Sequence, residues 1–421
     1  MSDAASDSER SSLLLAAISS ITPSNKVDEK WYVLLTVCLL TVSNATLWIS
    51  YAPLSLAVRL FYLNTTEAMN VLPGVVGIYV TDKYGIKPST VVGTCLNMVG
   101  SSIRLISSIP SVPLPYRSPL LYLATVFIGS AVPFFLVLSP KVAAHWFSPQ
   151  NRTFANVLSF IANPLGTVIG SVLPVQIVMS QETVTVESND FILLNGVLVT
   201  VPIIAFAMSI FMQGEPPTPP SPACHITGTP GFLKGMAICF KSQTFYALTI
   251  VFSAAYTELW LFFFHANDIL TEVGYSDSLS AYLTMTSCVV GVMSSLAAGV
   301  IVDRTKKFKE IWPMCLEMAI EATFPVMEAT SGGIVLIISS LLFFLRSLVT
   351  DELKKWNVFY RLDGTEGMPR MKSNHWFAID FSCAILFITS IISIVCIRKE
   401  YKRSNFEKEA KKRSERSKEE E

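Results

Sequence analysis

The sequence predicts an all-α polytopic membrane protein built as two six-helix halves, and three observations predict it. Half of the 421 residues are apolar (51%), only 15% are charged, and mean hydropathy is +0.49. A soluble globular chain carries about a quarter charged residues. The apolar residues also stand in long blocks, several of about 20 residues, enough to cross about 30 Å of hydrocarbon. These blocks do not alternate residue by residue, which excludes a closed β-barrel. Finally, the charged turn Gly77-Ile-Tyr-Val-Thr-Asp82-Lys83-Tyr-Gly85-Ile-Lys87 returns in weaker form as Gly299-Val-Ile-Val-Asp303-Arg304-Thr-Lys306-Lys307 in the other half. One such turn arises by chance; two in corresponding places mark a duplicated bundle. Glycine lets two helix backbones approach. The aspartate can complement a helix N-terminus, and the basic residues hold the turn in the cytoplasm.

Taken in order, residues 1–30 are polar and read as a disordered cytoplasmic tail without a cleaved signal peptide. Within it, Glu9, Leu13 and Leu14 have the acidic dileucine form read by sorting adaptors, though such runs are common by chance and a plain tail is the alternative; the motif leaves plasma membrane and lysosomal membrane both open. The N-terminal half, 31–212, opens with a span over Trp31–Pro53. Asn64 then begins an N-glycosylation sequon on the expected outer side. The apolar piece Ala68–Thr81 is too short to cross, as though part of the second helix were missing. Spans follow over Ser89–Ile109, Pro119–Leu138, Phe154–Met179 and Phe191–Met212. In the fifth, Gly166-x₃-Gly170 is a packing motif for close helix contact.

A Pro-rich cytoplasmic linker, 213–243, divides the chain, the layout of a carrier with two bundles. The C-terminal half, 244–397, is irregular. Its spans read as Phe245–His265, Ala281–Val302, Ile311–Met327, Gly332–Leu348 and Trp376–Ile397, and residues 398–421 form a charged cytoplasmic tail. Eleven crossings would leave that tail outside, whereas its lysines and arginines place it inside. A span after Glu310 is therefore expected to be missing, or 311–327 does not cross.

Asn44, Trp48 and Tyr51 fall at i, i+4 and i+7 and so share one face of the first helix. An amide, an indole and a phenol on one face suit a quaternary ammonium, which aromatic faces hold at about 0.5–2 kcal/mol per contact. The plainer reading is an interfacial aromatic belt. Charges inside the spans cost about 2.5–3.5 kcal/mol on insertion scales and so face a cavity or a partner. They are Arg104, Glu258, His265, Glu317, Glu321, Glu328 and Asp380. Glu258, flanked by Tyr256 and Trp260, is the candidate counter-charge or proton site, with a structural pair to a base such as Arg104 as the alternative. His265 is a conceivable haem ligand, though a solvated histidine at the membrane interface is the commoner case. No phosphate-binding loop, Ser/His/Asp arrangement or metal cluster is present, so neither an enzyme nor an ATP-driven pump is expected, and no cofactor. The eight cysteines show no disulfide framework.

Several stretches resemble the FLVCR-related (feline leukaemia virus subgroup C receptor-related) solute carriers of the major facilitator superfamily. They are Asn44-Ala-Thr-Leu-Trp48-Ile-Ser-Tyr51, Lys141-Val-Ala-Ala-His-Trp-Phe147, Asn163-Pro-Leu-Gly166, Pro216-Pro-Thr-Pro-Pro220, Asp303-Arg-Thr-Lys306 and Glu317-x₃-Glu321-Ala-Thr-Phe-Pro325-x₂-Glu328-Ala-Thr-Ser331-Gly332. The resemblance covers roughly residues 30–345 and is greatest to the least characterised branch. It implies twelve spans, of which this chain lacks part of the second and most of the ninth. It also implies an alternating-access carrier of a small organic solute, an organic cation such as choline or ethanolamine, with haem as the family's other proposed cargo. Choline-handling relatives use the Asn-x₃-Trp pair, but place a glutamine where this chain has Asn163-Pro164. Gly77, Asp82, Lys83, Gly85, Asp303 and Arg304 would then be gating residues. The expected partners are a small-molecule solute, the lipid bilayer and a sorting adaptor, with no nucleic acid. The alternative from another class is a non-transporting truncated isoform or partner subunit.

Overall fold

The computed structural model describes residues 25–51, 73–148, 151–178, 189–216, 230–272 and 315–355, with scattered positions in 69–71, 279–297, 384–391 and 402–405. Eleven helices carry the architecture described below: α1 (Asn25–Ile49), α2 (73–84), α3 (Ile86–Ser107), α4 (Leu114–Leu136), α5 (Leu138–Trp146) and α6 (Arg152–Ile177). They continue as α7 (Asn189–Phe211), α8 (Phe232–Cys239), α9 (Gln243–Glu272), α10 (Cys315–Thr323) and α11 (Glu328–Lys355). Asn64, Glu9, Leu13, Leu14, Asp303, Arg304 and Asp380 lie outside the described residues, as does the region expected to hold the ninth helix.

The fold is all-helical, and five of the described helices or helix pairs are long and apolar enough to cross a membrane. They are Glu29–Ile49, Leu114–Trp146, Phe154–Pro174, Asp190–Phe211 and Glu328–Val349; α8 with α9, bent by 84°, makes a sixth if counted as one span. Helix α8 falls within the stretch expected as linker.

One bundle holds α1 to α7, with α1 against α6 and α7, and α3 against α4 and α7. The other holds α9, α10 and α11, and α11 crosses to touch α4 and α5. Helix α3 is not among the five because its polar side faces inward. Ser89, Thr90, Gly93, Thr94, Asn97, Gly100, Ser101 and Arg104 are buried at spacings of three and four, while Val92 and Ile106 are exposed. That is the reverse of a soluble amphipathic helix. In lipid the apolar face meets the solvent, and the polar face must find partners inside. It does: Asn97 Nδ2 donates to Ser43 Oγ at 2.9 Å, and Thr94 and Ser209 share a hydrogen bond of 2.9 Å.

Helices α1 and α6 touch along glycine. A Cβ on Gly166 would sit 2.8 Å from Ala45 Cβ, and one on Gly170 would sit 2.5 Å from the Thr46 carbonyl oxygen. Thr46 Oγ1 donates across this seam to Gly166 O at 3.0 Å. Close backbones and a hydroxyl bridge replace the hydrophobic drive that lipid cannot supply.

Candidate solute-binding site

The face of α1 that carries Asn44, Trp48 and Tyr51 divides among different neighbours. Trp48 turns to the second bundle. Its ring meets Trp260 of α9 edge-on at 5.5 Å, and Trp260 meets Tyr256 edge-on at 6.1 Å. Tyr256 in turn lies nearly parallel to Phe252 at 6.1 Å. Beside these rings, Ile49 from one bundle packs with Leu261 and Phe343 from the other. Four aromatic side chains thus run from α1 along α9, and edge-to-face pairs of this kind contribute about 0.5–1.5 kcal/mol each beyond burial.

Asn44 and Tyr51 turn into the first bundle. Asn44 Nδ2 donates to Asn97 Oδ1 at 3.0 Å and to Ile128 O at 2.9 Å, tying α1 to α3 and α4. Tyr51 exchanges hydrogen bonds with Asn195 of α7, and the Arg104 guanidinium lies 3.4 Å from its ring centroid. Arg104 also donates to Leu47 O and to Ser50 Oγ. It therefore caps the C-terminal end of α1, where a cation complements the carbonyl end of the dipole.

Arg104 is not the partner of Glu258. Glu258 pairs with Arg346 of α11, Oε1 to Nε at 3.4 Å, and the two side chains are 2% and 8% exposed. Nearer the other end, Ser253 and Ser339 link the same two helices at 2.9 Å. Residue 265 lies in α9 and residue 317 in α10, each with its side chain outside the described set. Glu321 is buried in α10.

The charged turn stands at the opposite end of the molecule. Gly77 brings α2 against Pro133 of α4, where a Cβ would sit 3.0 Å from Pro133 Cβ. Gly85 has φ +89° and ψ −171°, a region essentially reserved for glycine, and it makes the corner between α2 and α3. Asp82 reaches across to the second bundle and accepts a hydrogen bond from Thr330 Oγ1 in the first turn of α11. Lys141 of α5 pairs with the same carboxylate at 3.3 Å and donates to Thr81 O. Burial pushes the Asp82 carboxyl above its ordinary value, with the Lys141 ammonium as the chief opposing pull. Lys83 points away from the seam, donating to Tyr79 OH at 2.7 Å on the exposed side. Apolar contacts of Ile78, Val137 and Ala329 fill the seam beside Asp82. Arg403 closes its edge with an ion pair to Glu328 at 3.0 Å, and Lys402 donates to Ala322 O at 2.9 Å. Among the described residues, the contact between the bundles is thus held at one end by aromatic and aliphatic side chains and at the other by the Asp82–Thr330 hydrogen bond and the apolar packing beside it.

Sequence reasoning missed Arg346, Lys141, Thr330 and Arg403. Arg346 carried a signal, being a cation inside an apolar block. Thr330 carried none, since a threonine in a membrane helix is ordinary. Among the described residues, no group of three or more metal-ligating side chains gathers.

Two bundles meeting along such a seam are matched by the Major Facilitator Superfamily family model, over residues 44–350. The chain belongs to the major facilitator superfamily. It is similar to the solute carrier family 49 member A3 of Xenopus tropicalis, 28% identical over 69% of this chain and 62% of that one. It is also similar to the choline/ethanolamine transporter flvcr2a of Danio rerio, 22% identical over 75% of this chain and 79% of that one. The superfamily likeness therefore runs to the FLVCR-related carriers. The proton:xylose symporter XylE matches the fold with a TM-score of 0.67 at 11% identity, over 88% of this chain and 95% of that one. Membership identifies the chain as a multi-pass membrane transporter of a small-molecule solute and not an enzyme.

Proposed function

We propose that this transporter carries a small ammonium solute such as choline or ethanolamine by alternating access, through a site where α1 meets α9. The observation that supports this most is the meeting of Trp48 with Trp260 and Tyr256, because it brings aromatic faces from both bundles to one place. An ammonium between such rings gains about 2 kcal/mol or more once desolvated. The similarity to a relative named as a choline/ethanolamine transporter supports the same solute class. Trp48 and Trp260 part to admit the solute from one side. On the other, Asp82 and Thr330 separate to release it, with Gly77 and Gly85 shaping the turn that holds Asp82. Asn44 and Tyr51 act behind the site, fixing α1 within its bundle. The second charged turn, at Asp303 and Arg304, is assigned the equivalent bracing role by symmetry of the halves.

Uptake of radiolabelled choline into cells expressing the chain tests this reading, with Trp48→Ala beside it. Saturable uptake is expected, lost in Trp48→Ala at unchanged surface level. Uptake unaffected by the substitution would remove the site from α1.

A further inference from the structure

Lys83, expected among the gating residues, points away from the seam and belongs to a basic and aromatic rim beside it. Its ammonium donates to Tyr79 OH at 2.7 Å and lies 5.3 Å from the centre of the Tyr84 ring. Both tyrosines are exposed. The Tyr79 ring also meets Phe232 edge-on at 5.8 Å, and Phe232 is the first residue of α8. Phe232 in turn packs on Ile78, Val137 and Ala329 in the seam.

Helix α8 has the build of a helix that lies on a membrane. It is turned by 84° from α9, so it runs across the direction of that span. Gly235 and Cys239 are buried one turn apart, and a Cβ on Gly235 would sit 3.2 Å from Val326 and 3.7 Å from Thr330. The outward side carries Leu233, Ala237 and Phe240 at i, i+4 and i+7, with Lys234 and Lys241 in the next row, all of them exposed. Leu233 is 78% exposed. A leucine so open is unfavourable in water, but it suits the boundary where an amphipathic helix sinks its apolar stripe among acyl chains and keeps its lysines at the headgroups. Phe240 tilts against Tyr246 of α9 at 6.0 Å, and aromatic rings gather at the same depth. The acids Asp82 and Glu328 are held by Lys141 and Arg403, so Lys83, Lys234 and Lys241 present positive charge outward.

We propose that this rim binds an anionic phospholipid of the cytoplasmic leaflet, its acyl chains along Leu233 and Phe240 and its headgroup on Lys83 and Lys234. Lys83 belongs to the first bundle. Lys234 belongs to a helix anchored in the second, where Cys239 shares a core with Phe245 and Leu316. A headgroup held by both lysines spans the seam beside Asp82 and Thr330 and favours its shut form, since a ligand shifts an equilibrium toward the state it binds better. The proposal goes beyond the solute reading, and its test involves no solute.

The full chain, purified in detergent, is titrated with phosphatidylserine, phosphatidylcholine or glycerophosphoserine (the same headgroup without acyl chains), and bound lipid is counted by native mass spectrometry. Phosphatidylserine is expected to be retained at concentrations where the other two are not. Lys83→Gln and Lys234→Gln should each weaken it about fivefold, the worth of one lysine at a charged membrane surface. Lys83→Arg and Lys234→Arg should keep it. Lys30→Gln, near the start of α1 where the ammonium sits 5.8 Å from the Trp31 ring, should leave it unchanged. In phosphatidylcholine vesicles, adding phosphatidylserine should slow maleimide labelling of Ala329→Cys in the seam severalfold, and have no such effect once Lys83→Gln is added. Equal retention of phosphatidylcholine, or equal weakening by Lys30→Gln, would show diffuse attraction and overturn the site. Equal retention of glycerophosphoserine would make it a site for a free phosphate and overturn the lipid assignment. Unchanged labelling with binding intact would overturn the link to the seam.

Discussion

Asp82→Ala is expected to swing the transporter open at the end that carries the charged turn, raising exposure of the seam at least tenfold and cutting uptake by a similar factor. The reason lies in what Asp82 holds. Its carboxylate bridges Lys141 of its own bundle and Thr330 of the other, and Lys141 is 6% exposed. Removing one partner of a buried pair costs about 3–5 kcal/mol, because the surviving charge stays desolvated. That cost falls on the shut form alone, since opening the seam lets water reach the ammonium. A bias of this size moves a two-state equilibrium by at least about a hundredfold. Ala329, fully buried between Ile78 and Val137, is the natural reporter. With Ala329→Cys in permeabilised cells, maleimide labelling should rise sharply when Asp82→Ala is added. Equal labelling in both backgrounds would show that the carboxylate braces the fold and not the gate.

Why the sequence announced some of this and not the rest follows from the kind of interaction involved. Long apolar blocks are a local property, so the spans over Phe154–Met179 and Phe191–Met212 were legible, and they fall close to α6 and α7. The turn at Asp82 was legible because glycine, aspartate and lysine in a short run serve backbone geometry and topology at once, and Gly85 does hold a positive φ. Polar partners across helices were not legible. The spacing of Asn44, Trp48 and Tyr51 correctly gives one helix face, but a face spans a wide arc, and the arc here borders two different bundles. Trp48 falls on the side of Trp260, while Asn44 and Tyr51 meet Asn97 and Asn195. Nothing within 44–51 says where that boundary lies; it depends on how far α6 lets α1 approach. The partner of Glu258 was hidden for the same reason. Two buried arginines compete for it on paper, and only the packing shows Arg104 engaged with the end of α1 and Arg346 with Glu258.

That approach of α6 to α1 yields the second large effect: Gly170→Ala is expected to lower thermal stability markedly, and Gly74→Ala to lower it less. Both positions are tight, so the contrast rests on what each new methyl would meet. At Gly74 the nearest atoms are Cγ1 and Cδ1 of Ile337, at 2.8 and 2.9 Å, so a side chain has to shift but no backbone does. At Gly170 they include the Thr46 carbonyl oxygen at 2.5 Å and Thr46 Cα at 2.9 Å, together with Ile49 Cγ2. Backbone cannot rotate out of the way, so the whole of α1 has to move. Overpacking of a well-filled interior commonly costs about 1–3 kcal/mol, and here the displacement also strains the Thr46–Gly166 bridge. Because Trp48 sits between Thr46 and Ile49, the same shift carries its ring away from Trp260, so any folded remainder should transport poorly. Thermal unfolding in detergent, followed by size-exclusion of the fluorescently tagged protein, reads the first consequence, and choline uptake per surface copy reads the second. Equal melting of the two alanine variants would mean that α1 and α6 can part without penalty, and that glycine at 170 serves no close contact.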